Sequence, residues 1–156
     1  MGVEIERKFL VLDDSFKELS YSTTYITQGY IFSSQNKILR VRTTTSKKSK
    51  ISIKSSSGII RKEYEYEIPD KDAQNLLSLS DGYIIDKKRY FVKFKNFIWE
   101  VDFFLKENKG LIVAEVELEH ENQEFAKPSW LGEEVSFDEK YYNCNLAKNP
   151  YSLWQI

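Results

Sequence analysis

Apolar and polar residues alternate with a period of two through most of this chain, the spacing that places every second side chain on one face of a strand. The pattern predicts strands over Val3–Val11, Tyr25–Phe32, Ile38–Thr44, Lys50–Ser55, Ile60–Ile68, Ile84–Phe94, Phe97–Phe104 and Leu111–Leu118. Short polar stretches separate several of them: Ser33-Ser34-Gln35-Asn36, Ser46-Lys47-Lys48-Ser49, Ser56-Ser57-Gly58, Lys95-Asn96 and Asn108-Lys109-Gly110. Turns this short join neighbouring strands antiparallel. Helical patterns are few: Pro69-Asp70 followed by Ala73, Leu76 and Leu77 predicts a capped helix, and Asp13–Leu19 and Glu121–Phe125 predict weaker ones. The stretch from Pro128 onward carries Trp130, Tyr141, Tyr142 and Trp154. It is too aromatic for a disordered tail and is expected to pack back onto the domain. The expected class is mainly β (α+β).

Length and composition narrow this further. At 156 residues the chain suits one domain, spanning 1–156. Ten Tyr, ten Phe and three Trp favour strands. Charged residues make up 30%, yet the net charge is only -1, which argues against a general nucleic-acid or membrane-surface binder. Cys144 and His120 are the sole residues of their kinds, so an internal disulfide and a Cys/His zinc site are excluded by count. No run of apolar residues is long enough to span a bilayer and no signal-peptide pattern opens the chain, so a soluble, unprocessed, cytoplasmic protein is expected.

The charged positions of the strands carry the chemistry. Glu4, Glu6 and Lys8 share one face of the first strand. Arg40 and Arg42 alternate with Leu39 and Val41, and Arg61, Glu63, Glu65 and Glu67 alternate with Ile60, Tyr64, Tyr66 and Ile68. The same holds for Lys54 against Ile51 and Ile53, for Glu100 and Asp102 against Trp99, Val101 and Phe103, and for Glu115 and Glu117 against Ala114, Val116 and Leu118. Lys87 and Arg89 share a parity opposite to Lys88 and Tyr90. A solvated face normally mixes signs, because like charges opposite one another destabilise a sheet. Here some strands are acidic and others basic, with like charges about 7 Å apart along a strand. Such clusters need external neutralisation. Clustered carboxylates without His or Cys suit magnesium, manganese or calcium, and clustered Arg and Lys suit phosphate. Both on one wall fit a metal-bridged polyphosphate. Glycine-rich phosphate loops are absent from the sequence, so side chains must build the phosphate site.

Glu4-Ile5-Glu6-Arg7-Lys8-Phe9-Leu10 resembles the Glu-x-Glu-x-Lys signature of the CYTH domain, or triphosphate tunnel metalloenzyme, superfamily. The resemblance continues through Gln28-Gly29-Tyr30, Arg40-Val41-Arg42, Ile53-Lys54, Arg61 to Ile68, Lys87-Lys88-Arg89-Tyr90, Trp99-Glu100-Val101-Asp102, Ala114 to Leu118 and Gly132-Glu133-Glu134-Val135. It implies strands closed into a tunnel barrel with a few short flanking helices. It implies metal ligation by Glu4, Glu6, Glu115 and Glu117, with Glu63, Glu65 and Asp102 as candidates for a second ion, the metal being Mg2+ or Mn2+. It implies phosphate contacts from Lys8, Arg40, Arg42, Lys54, Arg61, Lys87 and Arg89, and a catalytic group of Lys8, Tyr30 and Lys87, with Tyr30 and Lys87 forming a hydroxyl and amine pair near the attacking water.

The expected partner is a triphosphate-containing small molecule, without nucleic acid or membrane, with a homodimer open. The expected reaction is hydrolysis of inorganic tripolyphosphate. Alternatives are an adenylate cyclase, a nucleoside or thiamine triphosphatase, and a non-catalytic polyphosphate or nucleotide sensor. Glu67 and Glu119, at strand ends, read as solvated; Lys88 would replace Lys87 if a bulge shifted the parity. Lys140 matches a basic position near the family's C-terminus, whereas His120 reads as a surface residue and Cys144 as a buried one. Tyr64, Tyr66, Trp99 and Phe103 are expected to be core, packed against helices or a partner chain.

Overall fold

The structure is a computed structural model and describes residues 2–55 and 58–154; Ser56 and Ser57 of one expected turn lie outside them. Among the described residues nine strands form one sheet: β1 (Gly2–Val11), β2 (Ser22–Ser33), β3 (Lys37–Thr44), β4 (Lys50–Ser55), β5 (Ile60–Glu67), β6 (Asp81–Phe94), β7 (Phe97–Phe104), β8 (Ile112–Glu117) and β9 (Leu131–Glu134). Their order is β5-β4-β3-β2-β6-β7-β8-β1-β9, and a further β5–β1 pairing closes the first eight into a barrel. All pairings are antiparallel. Strand β1 is the seam: Gly2–Ile5 pair with β5, Glu6–Leu10 with β8, and Phe9 and Val11 with β9.

The apolar parity of most strands faces outward, so one hydrophobic layer lies outside the barrel, while a second fills one end of its interior. Trp99, fully buried, meets Phe9, Phe125 and Trp130 edge-on at 5.7, 5.7 and 5.9 Å. Each such pair adds about 0.5–1.5 kcal/mol beyond the burial of its area. Phe16, from the short helix α1 (Phe16–Leu19), stands on Tyr90 and Trp130 in the same layer. A second apolar cluster combines Tyr30, Ile38, Ile85, Phe104, Leu111 and Val113 with Tyr142, Cys144, Leu146 and Ala147 of the tail. There the tail turns through α3 (Asn143–Leu146). Helix α2 (Asp70–Leu77) opens after Pro69, as expected, and buries Ala73 completely.

Some expectations are corrected. Glu121–Phe125 is not helical: Phe125 reaches the aromatic layer from extended chain, and the Gln123 side chain accepts a hydrogen bond from the Glu119 amide at 2.6 Å. Asp13–Leu19 yields only the four-residue α1, because the Asp13 carboxylate folds onto the Ser15 amide and hydroxyl, at 2.9 and 2.5 Å. Strand β9 was not anticipated; Leu131–Glu134 is short and lacks alternation. It is fastened by Arg7, whose guanidinium donates two hydrogen bonds to Glu134, at 2.7 and 2.5 Å. Trp99 is core, whereas Tyr64 and Tyr66 stand on an outer face, 38% and 59% exposed.

The tail is docked through the start of β6. Tyr83 N–H donates to the Ala147 carbonyl at 2.7 Å, which requires Gly82 at φ +74°, where an added Cβ would drive into that same oxygen. Gly82→Ala is therefore expected to lower unfolding free energy by about 1–3 kcal/mol in urea titration, and a wild-type midpoint would show that the tail tolerates displacement.

Candidate active site

The inward parity of the barrel strands encloses a cavity of about 330 Å³. Glu4, Glu6 and Lys8 enter it from β1, Tyr30 from β2, Arg40 and Arg42 from β3, and Lys54 from β4. Arg61, Glu63 and Glu65 enter from β5, Lys87 and Arg89 from β6, Glu100 from β7, and Glu115 and Glu117 from β8. Lys88 lies outside, its ammonium over the Tyr90 and Tyr25 rings at 4.9 and 5.5 Å, so the parity holds and Lys87 is the interior residue. Glu67 pairs with Lys48 on the surface at 3.4 Å.

Basic groups crowd one region of this interior. Lys8, Arg40, Lys87 and Arg89 are buried. Arg40 Nε is buried and, among the described residues, lacks a hydrogen-bond partner, while Arg40 Nη2 donates to Ser52 at 3.2 Å and lies 3.7 Å from Glu65. Burial, with Arg40 and Arg89 close by, pulls the Arg42 guanidinium down to about 10. Burial likewise pulls the Lys87 ammonium down to about 7; Asp102 opposes this, and Arg89 and Arg42 add to it. The Arg61 guanidinium lies 5.3 Å from the Tyr142 ring centroid.

Acidic groups crowd another. The register sets Glu6 directly opposite Glu117, and Glu100 opposite Glu115, pairings that are unfavourable for like charges. Burial and then the neighbouring Glu115 raise the Glu6 carboxyl well above the usual range. Burial, with Glu4, Glu100 and Glu63, also raises Glu117. Glu115 behaves in the opposite way: burial disfavours its charge, but Lys8 at 3.3 Å, the Glu6 hydrogen bond and the interior cations hold it well below the usual range. Other acids are neutralised within the chain. Lys54 bridges Glu4 and Glu63 at 2.9 and 3.0 Å, and Glu65 accepts from Lys50 and Ser52 at 2.9 and 3.0 Å.

Asp102 is fully buried and does not line the cavity. Its Oδ1 accepts from Arg89 Nε at 2.7 Å, and its Oδ2 accepts from Lys87 Nζ and Arg89 Nη2, both at 2.8 Å. Tyr30 and Lys87 do not touch directly; Gln28 and Asn143 join them. Gln28 Nε2 donates to the Tyr30 hydroxyl and to Asn143 Oδ1, each at 3.1 Å, and Lys87 Nζ donates to the same Asn143 oxygen at 3.0 Å. Burial pushes the Tyr30 hydroxyl up to about 12, so it remains protonated. Gln28 was within reach of sequence reasoning, since it shares the parity of Tyr30. Tyr142, Asn143 and Cys144, which also line the cavity, come from an aperiodic tail with no pattern to reveal them.

The CYTH domain matches residues 2–149. The chain belongs to the CYTH domain family. An inorganic triphosphatase of Acetivibrio thermocellus is 49% identical over 153 residues, covering 97% of each chain. An inorganic triphosphatase of Nitrosomonas europaea is 34% identical over 148 residues, covering 92% of this chain and 96% of the relative. Among solved structures, the crystal structure of the inorganic triphosphatase NE1496 superposes with a TM-score of 0.68 at 33% identity, covering 94% of this CYTH chain and 95% of that one.

Lys87 gives the site a pH signature. Its ammonium titrates at about 7 in the folded chain and near 10.4 when unfolded, so between these values the unfolded chain holds more protons and stability rises with pH. In Lys87→Met the rise in melting temperature between pH 7 and 10 is expected to be smaller than in wild type; an equal rise would assign it to another group.

Proposed function

We propose that this CYTH domain hydrolyses inorganic tripolyphosphate to pyrophosphate and phosphate with the help of a divalent cation, Mg2+ or Mn2+. The observation that carries the reading is the coexistence of two charge excesses in one cavity. The cations around Arg42 and Lys87 are depressed by burial and by one another, and the acids Glu6 and Glu117 are raised by burial and by their neighbours. Each group is only partly neutralised by counter-ions of the chain. Apart from Tyr30, Ile38, Tyr142 and Cys144 the lining is polar or charged. A base or other ring would find little apolar surface to stack on, which, with the names of the relatives, favours the inorganic substrate.

The oxygen-rich acidic set fits a hard divalent ion. Glu6, Glu115 and Glu117, with Glu4 beside them, would hold it. Among the described residues no three of these side chains form a ready-made cage, in keeping with an ion of the Mg2+ kind that keeps several waters and shares its coordination with substrate phosphates. When bound, such an ion neutralises phosphate oxygens and favours ionisation of a bound water. Glu63 and Glu65 are held by Lys54 and Lys50 and serve as their counter-ions. Asp102, with both oxygens engaged, serves Lys87 and Arg89 in the same way rather than a second metal.

The chain's own residues act mainly by positioning and electrostatics, the means that dominate phosphoryl transfer. Arg40, Arg42, Arg61 and Arg89 offer paired N–H donors to phosphate oxygens, and Lys54 supplies a point charge. Lys8, beside Glu115, lies where the acidic and basic regions meet. Tyr30 and Lys87 act as donors to the reacting phosphate, stabilising charge that builds as water attacks in line.

The deciding assay incubates the purified chain with tripolyphosphate, ATP, GTP or thiamine triphosphate, each with Mg2+, Mn2+ or chelator, and follows phosphate, pyrophosphate and cyclic AMP. Phosphate from tripolyphosphate well above the other substrates, abolished by chelator, is expected. Cyclic AMP from ATP would make it a cyclase, and binding without turnover a sensor. Glu6→Ala should remove metal-dependent turnover while leaving the melting temperature at or above wild type, since it relieves a like-charge contact; near-normal turnover would sink the ligand assignment. Arg42→Ala should lower kcat/KM for tripolyphosphate by roughly ten- to a hundredfold, the worth of one or two charged hydrogen bonds, and unchanged kinetics would take Arg42 out of the site.

A further inference from the structure

The mechanism above uses strand residues only, yet the cavity is also lined by the C-terminal tail. We propose that Asn143 is a positioning residue of the active site, fixing Lys87 directly and Arg42 through Gln28, so that the tail completes the catalytic end of the barrel. The inference rests on the triphosphatase reading.

The geometry is specific. Asn143 Oδ1 accepts from Lys87 Nζ at 3.0 Å and from Gln28 Nε2 at 3.1 Å. The other end of the same Gln28 amide accepts from Arg42 Nε at 2.8 Å. One carbonyl oxygen on the tail therefore sets the orientation of Gln28, and with it the guanidinium of Arg42, while holding the ammonium of Lys87. Lys87 is fully buried and Arg42 half-buried in the cavity wall, with few partners of their own: Arg42 has no ion pair among the described residues, and Lys87 has Asp102. A long flexible side chain in that position loses its geometry easily, and a displacement of about 1 Å from a productive phosphate contact can cost on the order of a hundredfold in rate.

Asn143 is itself held rigidly. It opens α3 between Tyr142, whose hydroxyl donates to the Ser136 carbonyl at 2.9 Å, and Cys144, buried in the second apolar cluster. Tyr142 and Cys144 line both the cavity and a neighbouring one on the far side of the tail. Asn143 is the polar side chain that the tail points at the phosphate-binding groups.

The test is a double-mutant cycle on the full chain with tripolyphosphate and Mg2+ or Mn2+. Asn143→Ala is expected to lower kcat about tenfold or more, with a smaller change in KM, because the cations it aligns matter most as charge builds in the transition state. The same substitution added to Lys87→Ala should have a smaller effect, since only the route through Gln28 to Arg42 is then left to it. Asn143→Leu, which keeps the volume, must show the same loss if Asn143→Ala melts early. Equal fold-losses with and without Lys87, or a fall in melting temperature with kcat unchanged, would reduce Asn143 to a structural residue and overturn the inference. A wild-type chain without turnover overturns the triphosphatase reading itself, and this inference with it; an active wild type with an indifferent Asn143 overturns this inference alone.

Discussion

Charge inside a closed barrel is the constraint on which the rest of this fold depends. A small barrel ordinarily fills its interior with apolar side chains. Here most of the interior of eight strands carries Lys, Arg and Glu, and only one end is apolar, where Tyr30, Ile38, Ile85, Phe104 and Val113 meet the tail. Hydrophobic burial, the main driving force of folding, must then come largely from layers laid against the outside and from that plugged end. That is why Trp99, Val101 and Val116 are buried while Glu100, Asp102, Glu115 and Glu117 alternate with them along the same strands. It is also why short helices and aromatic loops are indispensable: Phe16, Phe125 and Trp130 cover one outer wall, and the tail from Tyr142 to Ala147 packs against the apolar end of the interior.

The interior charges are not all alike: some are matched by an opposite charge within the chain and others face their own kind. Asp102 with Arg89 and Lys87, and Lys54 with Glu4 and Glu63, are closed sets in which each charge meets its opposite within 3.0 Å. Buried sets of this kind gain little net stability, because desolvation offsets the attraction, but they fix side-chain positions. The open positions are different. Glu6 against Glu117 and Glu100 against Glu115 are like-charge pairs in register, and Arg42 sits among Arg40 and Arg89. Evolution for stability alone would place opposite signs there, as at Lys8 against Glu115 and Arg89 against Asp102. The unfavourable register is what a ligand that brings both a cation and a polyanion would relieve.

Most of the barrel was legible from periodicity because strand parity survives whatever packs outside. Arg40 and Arg42, or Glu115 and Glu117, had to share a face once their strands were drawn. The parity of Lys87 against Lys88 was equally decisive, since no bulge intervenes between Thr24 and Gln28 in the pairing with β6. What periodicity could not give was pairing. Asp102 has the same parity as Glu100, but only the register of β7 with β6 sets it opposite Arg89, where both its oxygens are engaged by Arg89 and Lys87. Strand β9 and the extended run to Phe125 were illegible for another reason: their conformations are imposed by Arg7 and by the Trp99 layer, partners more than twenty residues away in sequence.

The tail shows how a scaffold requirement and a chemical one can share residues. Gly82 must accept positive φ so that Ala147 can reach Tyr83, and Leu146 and Ala147 bury completely beneath the barrel. Once the segment is anchored for packing, whatever precedes it by one turn is delivered to the cavity wall at fixed depth. Asn143 occupies that place, and its amide oxygen meets two donors that the barrel alone satisfies only in part. The polar group is cheap to hold there because the apolar residues after it have already ordered the backbone. A barrel whose interior must stay charged thus obtains its last aligning contact from the segment that packs the apolar end of that interior.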